Sequence, residues 1–200
     1  MRRAEAMNSA RAMAIVAVTL AASCGRAADP ADAFLSAIAG HCGKAFAGRI
    51  VTNDPKPAND PFEGQALVMH VRECRDGEVR IPFHVGENRS RTWVLTRTPS
   101  GLRLKHDHRH EDGSPDAVTM YGGDTAAPGT ADRQAFPVDA ESRAMFERQK
   151  LAASVTNTWA MEIDAGRRFR YELSRPGRIF QVDFDLTSPV TPPPAPWGAK

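Results

Sequence analysis

The sequence predicts a mainly β protein, built as a single antiparallel up-and-down β-barrel of about nine or ten strands with a short N-terminal helix and one late helix. Three observations carry this. Short runs from residue 43 onward alternate apolar and polar residues with a period of two, as in Val79, Ile81, Phe83 and Val85 against Arg80, Pro82 and His84. Turn chemistry separates the runs, for example at Pro99-Ser100-Gly101, Glu111–Pro115 and Ser174-Arg175-Pro176-Gly177. The strands also follow one another in hairpin order, so one interior can collect all their aromatic faces.

The elements fall in order along 200 residues, enough chain for one domain with a sizeable core. Residues 1–27 read as a signal peptide. Arg2, Arg3 and Arg11 precede an apolar run from Ala12 to Ala22, and small residues follow. That run is shorter than the roughly 20 apolar residues a membrane-spanning helix needs. Cys24 follows Ala21-Ala22-Ser23, a partial match to a bacterial lipobox, so lipidation at Cys24 competes with ordinary cleavage near Ala27 or Ala28. Residues 28–188 read as the barrel. Pro30 to Gly40 is a helix capped by Asp29 or Asp32, with Phe34, Leu35 and Ile38 as its apolar stripe. Strands are expected over 43–51, 64–74, 78–85, 91–98, 101–113, 117–121 and 134–138. A helix over 139–150 follows, then three closing strands carrying Trp159, Met161 and Ile163, then Phe169, Tyr171 and Leu173, then Phe180, Val182, Phe184 and Leu186. Asp183 and Asp185 take the solvated side of the last strand. Residues 189–200 read as an extended Pro-rich tail.

Charge and cysteines bound the function. Residues 1–27 hold four arginines against one glutamate, so the formal +2 of the whole chain becomes about −1 once they are removed. A near-neutral body gives no electrostatic case for nucleic acid or for anionic membranes. Cys42 and Cys74 in an exported chain suggest a disulfide, and the absence of Cys-x-x-Cys leaves a thioredoxin-type function unsupported. The expected location is therefore the periplasm or outside the cell, with a lipid anchor as the variant set by Cys24.

A short helix feeding a first strand, up-and-down strands and a late helix together resemble the calycins, the barrel group of lipocalins and fatty-acid-binding proteins. The resemblance implies a small apolar ligand in the barrel interior. The lipocalin Gly-x-Trp signature is not matched, because Gly43-Lys44-Ala45 carries alanine in its place. The segments RTWVLT, KHDHRHEDG and TMYGGDT are also similar to a group of exported bacterial proteins to which no activity is attached.

One stretch has clear chemical potential. Read as a strand, GLRLKHDHRHEDG puts Leu102, Leu104, His106, His108 and His110 on one face and Arg103, Lys105, Asp107, Arg109 and Glu111 on the other. His106 and His108 then lie about 6.6 Å apart at Cα, a spacing at which two neutral imidazoles can converge on Zn²⁺ or Cu²⁺. His110 joins them only if the strand bends before Gly113. The alternative is a polar network, with the imidazoles bonded to Thr119, Tyr121 or Asp124. Trp93, Trp159, Tyr171 and Leu104 are the candidate wall residues of a ligand site beside His106 and His108. No catalytic residue is assigned: Gly-x-Ser-x-Gly and His-Glu-x-x-His are absent. Three functions stay open: a small-molecule- or metal-binding barrel, a metal-dependent enzyme using the histidine face, and an interaction protein whose Pro-rich tail docks on a partner.

Overall fold

A computed structural model describes residues 28–199, so residues 1–27, read above as a signal peptide, and Cys24 within them lie outside the described residues. Helix α1 (Pro30–Ala39) starts where Asp29 Oδ1 accepts from the Ala31 N–H at 2.8 Å, with Pro30 at the first helical position. Eleven strands follow. They are β1 (Ala45–Asp54), β2 (Leu67–His70), β3 (Glu73–Arg75), β4 (Glu78–Val85), β5 (Asn88–Thr98), β6 (Gly101–His108), β7 (Tyr121–Asp124), β8 (Arg133–Pro137), β9 (Thr158–Asp164), β10 (Arg168–Arg175) and β11 (Arg178–Val190). Helix α2 (Ala140–Arg148) and a 3₁₀ turn at Ala152–Thr156 lie between β8 and β9.

All pairings are antiparallel, and the strand order is β7-β6-β5-β4-β2-β1-β11-β10-β9-β8, with β3 attached to β4. Neighbours in space are neighbours in sequence, apart from the β2–β4 pair, which skips the short β3, and the β1–β11 pair, which joins the first strand to the last. The sheet is thus a nearly closed up-and-down barrel whose seam lies between β7 and β8. At that seam the Asp139 N–H donates to the Gly122 carbonyl at 2.9 Å. The backbones approach so closely that a Cβ on Gly123 would sit 1.8 Å from the Pro137 carbonyl oxygen. One on Gly122 would sit 1.9 Å from that of Leu104. Glycine is required there by proximity rather than by turn geometry.

The interior follows the alternation in the sequence. Ile81, Trp93, Leu95, Leu102, Leu104, Met161, Phe169, Val182 and Phe184 are each no more than 2% exposed. Phe34, Leu35 and Ile38 of α1 join this core, and α1 packs against β4, β5, β8 and β9. Arg97, near the end of β5, holds the helix by ion pairs to Asp29 and Asp32. One end of the barrel is therefore plugged. The disulfide Cys42–Cys74 forms as expected and ties the loop after α1 to β3, with a Cα–Cα distance of 6.2 Å. Closing a loop of 32 residues' separation stabilises the fold by about 3–4 kcal/mol in the chain-entropy model.

Four expectations need correction. The run over 64–74 breaks into β2 and β3, because Arg72 N–H turns to the Arg80 carbonyl and Val71 N–H to that of Lys44. The expected strand at 117–121 begins only at Tyr121, since Met120 adopts a left-handed backbone (φ 55°) that ends any extended run before it. Asp183 is not solvated. It is 9% exposed and accepts both arms of the Arg170 fork at 2.6 and 2.9 Å, as the Arg170–Asp183 register dictates. Desolvation opposes that carboxylate, but the arginine hydrogen bonds and charge outweigh it and hold its pKa below the ordinary value. The fourth is the tail. Strand β11 runs through Pro189 to Val190, and the chain then folds back onto its own barrel. Trp197 N–H donates to the Arg89 carbonyl at 3.0 Å, and Arg89 Nη1 to that of Ala195 at 3.1 Å. Among the described residues, no helix is long and apolar enough to cross a membrane.

Candidate functional site

The end of the barrel away from α1 is only partly covered, by Phe62 of the β1–β2 connection and by α2 with the 3₁₀ turn after it. Beneath them lies a cavity of about 250 Å³. Strand register delivers its walls. On β5 and β6, Trp93 stands opposite His106 and Arg91 opposite His108. On β6 and β7, His106 stands opposite Tyr121. On β9 and β10, Trp159 stands opposite Leu173, and Tyr171 is two residues along. Trp93 and Tyr171 stack at 4.5 Å between centroids, and His106 and Tyr121 at 4.6 Å.

The sequence-predicted residues separate into two groups. His106, His108, Trp93, Trp159 and Tyr171 all line this cavity. Leu104 does not: it is fully buried one step further toward α1, opposite Leu95. His110 is also apart, because β6 ends at His108. The next residues form a turn in which the His110 N–H donates to the Ser114 carbonyl at 2.8 Å, and its side chain is exposed. The bend that would have brought three histidines together does not occur. Among the described residues, no group of three or more His, Cys, Asp or Glu is placed to hold a metal ion.

The two remaining histidines form the polar network. His106 is 3% exposed, and its Nδ1 lies 3.1 Å from the Tyr121 carbonyl, which can only accept. The ring is therefore the Nδ1–H tautomer, and its Nε2 accepts from the Tyr171 hydroxyl at 2.9 Å. The Tyr121 hydroxyl lies 3.1 Å from His108 Nε2, while the His108 backbone N–H donates to Thr119 Oγ1 at 2.8 Å. Desolvation, and then repulsion from His108, lowers the His106 pKa to about 3. Desolvation and the Arg91 charge lower that of His108 to about 4. Burial raises both tyrosine hydroxyls above their ordinary range. All four groups are neutral near pH 7. Both nitrogens of His106 are engaged, so it has no lone pair free for a metal, and at a pKa of about 3 it is a poor general base.

Three arginines at the cavity were missed by sequence reasoning: Arg91, Arg175 and Arg178. The signal for Arg91 was present, because it shares strand parity with Trp93 and Leu95 and so faces inward with them. Its guanidinium lies 5.6 Å over the Phe62 ring. Arg175 and Arg178 face each other across the β10–β11 turn.

A larger groove of about 710 Å³ lies on the outer wall beside Trp197 and is open to solvent. Its charges are matched within the protein, as Arg72–Glu73, Arg80–Glu78 and Arg109–Asp107. The partly covered aromatic cavity is the better candidate, because its lining is mostly apolar and includes the convergent histidine–tyrosine pairs. The fold and this cavity define a β-barrel with one aromatic, partly covered end. Comparison with family models, curated proteins and solved structures finds no match.

Proposed function

We propose that this chain is an exported, non-enzymatic binding protein that holds one small molecule at the aromatic end of its barrel. The observation that carries the reading is the cavity of about 250 Å³ where His106, His108, Trp93, Trp159 and Tyr171 meet. Its walls are largely aromatic, and its histidines and tyrosines are held in orientation by one another, which is the layout of a small-molecule site. The rest of the barrel is filled, so the ligand is compact. An apolar cavity of about 150 Å³ is enough to take benzene, which makes one or two rings the natural size here. Export is supported by the basic start and apolar run before residue 28 and by the Cys42–Cys74 pair.

Filling the cavity tests this. Ser154 sits on the 3₁₀ turn and lines the cavity without a core role. In a titration with one- and two-ring aromatic compounds, saturable change in tryptophan fluorescence is expected for the wild type. Ser154→Phe is expected to weaken that binding at least tenfold with its unfolding midpoint nearly unchanged. Binding that survives Ser154→Phe undiminished would place the ligand elsewhere.

A further inference from the structure

Most strand arginines of this barrel meet carboxylates, though among the described residues Arg49 and Arg89 also make no salt bridge. Arg103 forks onto Asp124 at 2.6 and 2.9 Å, Arg170 onto Asp183, and Arg133 reaches Glu162. The three arginines at the cavity do not. Among the described residues, none of Arg91, Arg175 and Arg178 makes a salt bridge, and each is held instead by neutral oxygen. Arg91 Nη1 donates to Asn88 Oδ1 at 2.9 Å, and Arg175 Nη1 to Asn157 Oδ1 at 3.2 Å. Arg178 donates to Asn53 Oδ1 and to the Ile179 carbonyl, each at 2.6 Å.

Neutral acceptors position a guanidinium without cancelling its charge. The carboxylates nearest Arg178 are Asp54 and Asp60, the latter accepting from Asn53 Nδ2 at 2.6 Å and from the Phe62 N–H; they answer part of the charge at the rim without forming a salt bridge to it. Arg175 and Arg178 are also direct cross-strand partners, an arrangement of like charges that costs stability unless something answers it. Arg91 is the deepest of the three in placement, on the same strand face as Trp93 and opposite both Phe83 and His108.

We infer that the ligand is a compact aromatic molecule bearing a single carboxylate, its ring held among Trp93, Trp159 and Tyr171 and its carboxylate on the Arg91 fork, with Arg175 and Arg178 at the rim. This rests on the proposed binding function and names the ligand class for the same cavity. The planar fork of one arginine matches a carboxylate bidentately, and the half-buried setting strengthens that bond. The small volume favours an aryl acid over the long chain of a fatty acid, whose carboxylate has the same chemistry.

Calorimetric titration with 2-naphthoate, 2-naphthamide and hexadecanoate separates the possibilities. The wild type is expected to bind 2-naphthoate at least tenfold more tightly than the isosteric amide and more tightly than hexadecanoate. Arg91→Gln is expected to erase the preference for the acid, the affinity for 2-naphthoate falling at least tenfold to that for the amide measured on the same variant. Arg91→Lys keeps the charge without the fork and should retain only part of the preference. Equal affinity for acid and amide in the wild type, or a preference that survives Arg91→Gln, would overturn the carboxylate assignment and leave the cavity reading intact. Tighter binding of hexadecanoate would overturn the aromatic part. Failure of all three to bind would remove both the assignment and the binding function beneath it. The wild-type comparison alone decides the case should Arg91→Gln fold poorly.

Discussion

Gly123→Val is expected to abolish the cooperative unfolding transition of this protein, or to lower its stability by at least about 4 kcal/mol. The barrel has one seam, between β7 and β8, and the seam is made by backbone approach. A Cβ at Gly123 would sit 1.8 Å from the Pro137 carbonyl oxygen and 2.9 Å from its carbon. Backbone on both sides leaves nothing flexible to yield. The strands must part, and with them goes the Asp139–Gly122 hydrogen bond. The seam also anchors α2, since Gly122 N–H donates to Ser142 Oγ at 2.8 Å and Asp139 Oδ1 caps the helix through the Ser142 N–H. Parting it exposes both the core and the covered end. The control is Gly40→Ala. Gly40 has ordinary helical geometry, and a methyl group there would meet its nearest neighbour at 3.4 Å, so a change within about 0.5 kcal/mol is expected. Guanidinium chloride unfolding followed by circular dichroism measures both. A Gly123→Val protein as stable as Gly40→Ala would mean that β7 and β8 do not meet.

The second large effect is with pH. His84, His106 and His108 have folded pKa values lowered to about 4, 3 and 4, each by desolvation first. The unfolded chain takes up these protons near pH 6.5, well before the folded one can. Stability is therefore full above about pH 6.5 and falls as the pH drops toward 4, since the unfolded state binds more protons throughout that window. At roughly 1.4 kcal/mol per unit of pKa difference, His106 alone costs about 3 kcal/mol by pH 4. His84 adds to this, because it is 3% exposed and its Nε2 has no partner among the described residues. His108, less buried, contributes a smaller share. Asp124, Asp139 and Asp183, all held below their ordinary values, extend the loss at lower pH. His106→Gln is expected to lower stability at pH 7 by about 1–3 kcal/mol through the broken Tyr171 and Tyr121 bonds. It should also flatten the dependence between pH 6.5 and 4. Urea denaturation at several pH values reads the slope, and a wild-type curve that is flat from pH 7 to 4 would show these histidines to be solvated.

The fold was legible because most strands obey a strict period of two. Val79, Ile81, Phe83 and Val85 are all buried as the alternation requires, and Trp93, Leu95, Leu102 and Leu104 likewise. What escaped is where tertiary closure overrode local chemistry. Gly122-Gly123 reads as a turn, yet the pair lies inside β7, because glycine is what lets two strand backbones and Leu104 come within contact. His84, on the outer side of its strand by parity, is nonetheless buried, a covering that local pattern does not encode. For the site, parity put His106 and His108 on the face of the aromatic wall, where both line the cavity, and left His110 dependent on a bend. Arg91 was overlooked, although strand parity places it on the inner face with Trp93 and Leu95. Arg175 and Arg178 sat in a turn whose proximity to the cavity depends on the register of β10 and β11 with the rest of the barrel.

The three tryptophans allow a direct test of ligand position. Trp93 and Trp159 border the cavity, whereas Trp197 lies on the outer wall beside the returning tail. In a two-dimensional ¹H–¹⁵N spectrum of the labelled protein, unlabelled 2-naphthoate is expected to shift the indole N–H signals of Trp93 and Trp159 along one saturation curve, with Trp197 unmoved. Movement of Trp197 alone, or of none of the three at saturating compound, would contradict a binding site within this barrel.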